Sequence, residues 1–464
     1  MQGGGGAQQV ERMSIKAAIK LLQSHSVSSL LQINQKLKDI RIQVCSFMFI
    51  VVKDESSHIA GWARRVETRG KFLFLHVSDG CSLKTIQAVV QRDICPKVPV
   101  GSAVDIVGDW VMSNGKQQGM ELFATNCEVV GLQQKSFSEL PTEESCADVT
   151  RRKYHLRMKS IPFMCLLRLR SRLDQLSRSF FQKELFFHVD TPLLTHNDCE
   201  GAGDIFIVQA DKQNYFGDQA VYLPVSSQLH LESFVGYVEF SLSKVYTIAP
   251  ALRADHSQTR QHLAEFRMLE AEYAFADDLE QLCDLVERYV NYVIDGMLSY
   301  DVKEIKSMMQ VFCSGMLDDI TVSLIFQNAE VQSLLWTNGS RKPFLRIQYD
   351  EAAAILQSKG EMIPGGRFSK ENELTMVKHC AGPLFVLRYP YTQKPFYMKR
   401  YGNYAECFDL LAPFVGELAG GSLREPDAEE LRRRGCDDSL DWYLEIRQHG
   451  HPPSAGFGIG LERF

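Results

Sequence analysis

The chain has 464 residues, 45% hydrophobic and 23% charged, with a net charge of −6. This is an ordinary globular composition with room for about two or three domains, and it excludes a protein that coats nucleic acid through overall positive charge. The 12 cysteines are scattered without a CxxC pair, which points to free thiols in a reducing compartment and away from a disulfide framework or a zinc site.

Residues 1–45 read as an N-terminal extension. "MQGGGG" is low-complexity. Met13 to Gln43 holds five Lys or Arg, five Ser and one acidic residue, Asp39, with helical apolar spacing in "SIKAAIKLLQ". Such a segment is either a mitochondrial transit sequence or a solvated helix. The run Val44–Val52 is too short to span a bilayer and reads as a strand, so no membrane association is expected.

Residues 46–135 carry "HIAGWARRV", "KFLFLHVSDG", "KTIQAVV", "SAVDIVGDWV" and "MELFATNCEVVGL". Short strands separated by Gly, Asp, Asn and Ser turns predict a small all-β barrel, of which the OB-fold is the common oligonucleotide binder. Trp62, Arg64, Arg65, Arg69, Lys71, Phe72 and Phe74 interleave aromatic and basic character, as single-stranded nucleic acid requires. Trp62 and Phe72 are expected to fill the barrel.

Residues 136–160 are polar and read as a hinge before a region 161–464. There Leu166, Leu169, Leu173, Leu176 and Phe180 recur at helical spacing, predicting a helix over about 164–184. "FFHVDTPLL" reads as an edge strand because of Pro192. "VYLPVS", "KVYTIAPALRAD" and "HLAEFRMLEAEYAF" suggest antiparallel strands. In the last, period two puts Phe266, Glu270 and Glu272 on one face, which suits a ligand site better than a core. A helix over "DDLEQLCDLVERYVNYVIDGML" follows. No chemistry is legible over 300–380. Strands return in "PLFVLRYP", "PFYMKR" and "ECFDLLAPFVGELAGGSLRE", and the chain closes on "GFGIGLERF". Those last glycines belong to neither GxxxxGK[ST] nor a dinucleotide fingerprint.

A resemblance runs from about residue 57 to the end, carried by four ordered motifs and two further stretches. "RADHSQTRQHLAEFRMLEAEYAF" resembles motif 2 of class II aminoacyl-tRNA synthetases of the aspartyl, asparaginyl and lysyl subclass, in the asparaginyl form. "FFHVDTPLLTHNDCEGAGDIF" is similar to motif 1 and its following loop. "FDLLAPFVGELAGGSLRE" and "GFGIGLERF" resemble the metal-and-substrate strand and motif 3. "GWARRVETRGKFLFLHVSDGCSLKTIQAVV" is similar to the OB-fold anticodon-binding domain, and "KHCAGPLFVLRYPYTQKPFYM" leans toward the mitochondrial branch.

The resemblance implies an α+β class II antiparallel sheet flanked by helices after an OB barrel. It implies ATP-dependent activation of asparagine and its transfer to tRNA(Asn), in the mitochondrial matrix or alternatively the cytoplasm. Arg253 would sit on the α-phosphate and Arg463 on the γ-phosphate, both as catalytic residues, with Phe266 stacked on adenine and His262 and Asp255 also in the ATP site. Asp409 and Glu417 would hold Mg²⁺. Glu200, Gln228 and Glu270 would grip the α-amino group, and Glu232 and Arg424 would read the side-chain amide. Arginine can donate to the amide oxygen and a carboxylate can accept from its NH₂, whereas aspartate would set carboxylate against carboxylate. Phe74 and Gln87 would contact the anticodon with Arg69 beside them. Pro192 and the leucine stripe would serve a homodimer.

Several positions depart from the pattern. The FRAE of motif 2 is Leu252-Arg253-Ala254-Asp255, a common motif arginine is Gln261, Ser454-Ala455 precede motif 3, and an OB-domain arginine is Glu67. The family continues about 30 residues past the motif 3 arginine by the same resemblance, so the catalytic domain is expected to be incomplete at its C-terminal end. The alternatives are an impaired, synthetase-like tRNA-binding protein, an aspartate-specific synthetase, or an amino-acid ligase.

Overall fold

The computed structural model describes residues 42–44, 48–53, 56–81, 84–113, 119–134, 152, 154–157, 161–196, 205–210, 215–217, 219–236, 242–255, 263–299, 343–436 and 440–464. Most of the expected transit segment and hinge therefore lies outside the described residues, as do Glu200 and His262. The chain divides into two compact units, Met1–Met164 and Cys165–Phe464.

In the first unit, β1 (Ile42–Val44) and β2 (Met48–Lys53) lead into β3 (Ser56–Arg69). β4 (Phe72–Ser78), β5 (Ile86–Gln91), β6 (Ala103–Met112) and β7 (Met120–Gly131) follow. The ring β3–β4–β5–β7–β6 closes because β3 pairs with both β4 and β6. A 14-residue strand can serve both neighbours because a register shift between Ala63 and Arg65 bends it. The barrel interior is aliphatic, with Ile59, Leu73, Leu75, Val77, Val90 and Ile106 among its buried residues. Trp62 departs from expectation: it is 45% exposed, because the inward positions around it belong to Ile59 and Ala63. Phe72 also stays outside the core, half-buried.

The second unit is built on α1 (Ile161–Lys183), β8 (Phe187–His188), α2 (Gln228–Phe234), β9 (Lys244–Leu252), β10 (Glu265–Ala274) and α3 (Leu279–Ser299). Then come β11 (Leu345–Gln348), α4 (Tyr349–Ser358), α5 (Lys370–His379), β12 (Leu384–Leu387) and a small hairpin of β13 (Arg400–Tyr401) and β14 (Tyr404–Ala405). β15 (Cys407–Ala412), β16 (Gly416–Leu423), α6 (Ala428–Arg433), α7 (Asp441–Gln448) and β17 (Ser454–Gly460) complete it.

Eight strands form one sheet in the order β11–β12–β15–β16–β17–β10–β9–β8. Its five inner pairings are antiparallel, while β11–β12 and β8–β9 are parallel, so the sheet is mixed at its edges. Both faces are covered. In β12, Phe385 and Leu387 join one core with α1 and α3, and Leu384 and Val386 join another with α4, α5 and α7. A strand covered on both sides reads as an unbroken apolar run, which LFVL is.

Three local expectations change. "FFHVDTPLL" holds only a two-residue strand, and "VYLPVS" contributes only isolated bridges at Tyr222. The leucine stripe is not all interface, because Leu173, Leu176 and Phe180 sink into the unit's own core.

Candidate active site

A cavity of about 320 Å³ opens on the sheet face formed by β10, β16 and β17. The alternation in β10 sends Phe266, Met268, Glu270 and Glu272 into it and Leu269 and Ala271 into the apolar core behind. β17 lies between β10 and β16 and opposes Glu272 with Gly456, Glu270 with Gly458 and Met268 with Gly460. A Cβ at Gly456 would sit 2.0 Å from Glu272 Oε1, and one at Gly458 2.5 Å from Met268 Cε. The glycines thus make room for the carboxylates and methionine of the neighbouring strand, while Gly460 lies under the Phe266 ring. At Gly456 and Gly458 glycine is needed for space, since none of the three has a positive φ.

At one end of the cavity Arg253 follows β9, and its guanidinium lies 5.6 Å from the Phe266 ring centroid. Asp255 lines the same end. Arg463, just past β17, donates to the Glu417 carbonyl at 2.8 Å and reaches its carboxylate at 3.4 Å. Asp409 and Glu417 flank Gly420: a Cβ there would lie 3.6 Å from Asp409 Oδ1 and 3.4 Å from Glu417 Oε1. Lys394 already holds both Asp409 oxygens, at 3.0 and 2.8 Å. From α5, in the stretch without legible chemistry, Glu373 accepts the Glu417 backbone N–H at 3.0 Å. Burial pushes the Glu373 carboxyl up to about 7, and the negative charges of Glu417 and Asp409 add to that.

At the other end Ser226, Gln228, Glu270, Glu272 and Arg424 line the wall. Glu270 accepts from the Ser226 hydroxyl and, at 2.8 Å, from the Ser227 backbone N–H. Arg424 grips Glu272 through two nitrogens, Nε at 3.0 Å and Nη2, and donates Nη1 to Ser422 at 2.7 Å. Burial pushes Glu272 up to about 8; Arg424 opposes this and Glu232 adds to it.

Glu232 differs from its expected role. It is 0% exposed and is not part of the cavity surface. Its oxygens are taken by Gln228 Nε2 at 3.0 Å, the Tyr443 hydroxyl at 2.7 Å and Arg447 Nη2 at 2.6 Å. The reason is α2 itself, which turns Glu232 inward, four residues after Gln228 and behind it. Sequence reasoning missed Lys394, Glu373, Tyr443 and Arg447; Lys394 lies in a quoted stretch that carried no role for it, the other three lie in none, and each acts across the fold.

On the barrel, β4 turns Phe72, Phe74 and His76 outward beside Arg65, Glu67 and Arg69 of β3. Phe72 packs edge-to-face on Phe123. Arg69 lies 5.5 Å from the Phe74 ring centroid, and Arg65 and Arg69 each pair with Glu67 at 2.7 Å. Gln87, opposite His76, donates to Glu121 at 2.7 Å. Pro192 is exposed just beyond β8, the last strand of the large sheet.

Residues 147–464 match the family described as tRNA synthetases class II (D, K and N), and residues 57–130 match the OB-fold nucleic acid binding domain. The chain belongs to the class II tRNA synthetases of this D, K and N group. It is 35% identical over 434 residues to the asparaginyl-tRNA synthetase of Mus musculus, covering 89% of this chain and 87% of the relative. It is 33% identical to the mitochondrial asparagine–tRNA ligase of Schizosaccharomyces pombe, covering 87% and 88%. The crystal structure of asparaginyl-tRNA synthetase from Pyrococcus horikoshii, complexed with asparaginyl-adenylate, superposes with a TM-score of 0.74 at 30% identity, covering 88% of this chain and 90% of that one.

Proposed function

We propose that the chain is an asparagine–tRNA ligase of mitochondrial translation, joining asparagine to ATP as asparaginyl-adenylate and then to the terminal ribose of tRNA(Asn). One observation carries the reading. A single cavity joins an end bearing Arg253, Phe266 and Arg463 to an end bearing Gln228, Glu270 and Arg424. A nucleotide and an amino acid can therefore lie against each other along β10 and β17.

The asparagine α-carboxylate is ionised at neutral pH, so its attack on the α-phosphorus needs no general base. The new O–P bond forms as the bond to pyrophosphate breaks. What the site supplies is alignment and neutralisation of phosphate charge. Arg253 offers a planar, permanently charged guanidinium to the α-phosphate and Arg463 a second to the γ-phosphate, while Phe266 supports adenine. Ser226, through Glu270, and Gln228 orient the α-amino group. Arg424 donates to the side-chain amide oxygen, and Glu232 acts from behind the wall through Gln228 and Arg424. Asp409 and Glu417, facing the cavity across Gly420, suit Mg²⁺, which takes few protein ligands and keeps phosphate and water oxygens. A bound magnesium ion would offset negative charge on the phosphates, with Lys394 sharing Asp409.

The outward face of β4, with Phe74, Arg69 and Gln87, is the anticodon platform of this reading. The exposed Leu185, Phe187, Leu193, Leu194 and Phe275, near the β8 edge or the end of β10, together with Pro192, support a homodimer, which light scattering tests. ATP–pyrophosphate exchange with asparagine and with aspartate, followed by tRNA charging, tests the activity. Exchange with asparagine and charging of tRNA(Asn) are expected; exchange with aspartate alone overturns the asparagine reading, and no exchange overturns the ligase.

A further inference from the structure

We infer that Arg447 is a positioning residue for amino-acid choice: from α7 it fixes Glu232 as a carboxylate behind the cavity wall, and so sets the wall to accept a neutral side-chain amide and to reject a carboxylate. This rests on the reading of the cavity as an asparagine site.

Arg447 never touches the cavity. Its side chain is 2% exposed; Nη2 donates to Glu232 Oε2 at 2.6 Å and to the Tyr443 hydroxyl at 2.6 Å, and Nε to the Glu425 carbonyl at 3.1 Å. Tyr443 donates in turn to the same Glu232 oxygen at 2.7 Å. Oε2 is therefore saturated from α7. Oε1 faces forward, to Gln228 Nε2 at 3.0 Å and Arg424 Nε at 3.7 Å, and both of these residues line the cavity.

Two consequences reach the ligand. An ionised Glu232 only accepts, so the Gln228 amide must turn its NH₂ toward it, leaving its carbonyl oxygen for the α-amino group that asparagine and aspartate share. Arg424, clamped on Glu272, has the Glu232 carboxylate behind it as a counter-charge and is left to donate to a neutral amide oxygen. A protonated Glu232 reverses both effects. Donating to the Gln228 carbonyl, it would cost the α-amino group an acceptor for either amino acid; the step that discriminates is that it would leave Arg424 with uncompensated charge for an aspartate side chain.

The groups that face Glu232 are Gln228 from its own helix, Tyr443 and Arg447 from α7, Arg424 after β16, Glu272 on β10, and His451 before β17. Burial alone works to protonate Glu232, and Arg447 first, then Arg424, hold it below its ordinary value. Without Arg447 the remaining cation is Arg424, already committed to Glu272. Glu232 then gains a proton as pH falls.

The test is ATP–pyrophosphate exchange by the full chain, comparing kcat/KM for asparagine and aspartate from about pH 6.5 to 8.5. The wild type is expected to prefer asparagine throughout this range, with only the slope that Glu272, pushed up to about 8, gives its ratio. In Arg447→Met the ratio is expected to fall about tenfold or more and to fall further toward the acidic end. Equal losses for both amino acids, or a lowered ratio that follows the wild-type slope with pH, overturn the inference. Should Arg447→Met fail to fold, Glu232→Gln/Arg447→Met removes the pair as a unit. Its ratio is expected below wild type with no slope beyond that of the wild type, because glutamine cannot titrate, and a wild-type ratio in that double variant overturns the inference. A wild type without preference for asparagine overturns the asparagine reading itself, whereas a discriminating wild type with unmoved variants overturns only the role of Arg447.

Discussion

In β4 of the barrel, Leu73, Leu75 and Val77 point inward, while Phe72, Phe74 and His76 face outward. In β10 of the large sheet, Leu269 and Ala271 point into an apolar core, while Glu270 and Glu272, 4% and 1% exposed, line a cavity. The same two-residue alternation thus serves opposite ends. The barrel keeps its stacking groups outside, where they add little to stability. The sheet buries its charges, where each must be paired, so binding and stability are tied together.

This contrast can be broken or sharpened in four ways. Arg253→Ala should have the largest effect, lowering kcat/KM in ATP–pyrophosphate exchange by roughly 10²–10³-fold, in the range for loss of one preorganised donor to developing charge. Gly456→Ala should next cost about 1–3 kcal/mol in urea unfolding, since the added methyl overpacks against Glu272. Phe74→Ala should raise the KM for tRNA charging by an amount equivalent to about 1–3 kcal/mol of stacking. It should leave unfolding far closer to wild type than Gly456→Ala does; equal destabilisation would erase the contrast between the two regions. The smallest effect concerns pH. Burial first, and then the Arg447 charge, push His451 down to about 4, so the folded protein holds it neutral. Its stabilising contribution is complete above its ordinary value of 6.5 and is lost as pH falls through about 4. Acidification from pH 7 should therefore lower the Tm of the wild type more than that of His451→Asn; equal slopes would show that His451 does not report the buried charge.

Much of the site was legible because it is written in local pattern. Period two placed Phe266, Glu270 and Glu272 on one face, and the structure has all three lining the cavity. Arg253, Asp255, Gln228, Asp409, Glu417, Arg424 and Arg463 meet in that same cavity. Among the alternating glycines, Gly456 and Gly458 make space for Glu272 and Met268, partners that the pattern does not name. Trp62 is expected to fill the barrel, but the neighbouring Ile59 and Ala63 hold the inward positions. Glu373 stayed hidden because its importance lies in one hydrogen bond to Glu417, 44 residues away.

By itself, then, the sequence determined the strand alternation, the order of the motifs, and the family those motifs define, because each depends on residues close together along the chain. The tertiary structure alone decided which charges meet: Lys394 on Asp409, Glu373 on Glu417, and Arg447 with Tyr443 on Glu232. Periodicity assigns a side chain to a face. It does not name the partner that arrives from another element, and a buried charge takes its state and its reach from that partner.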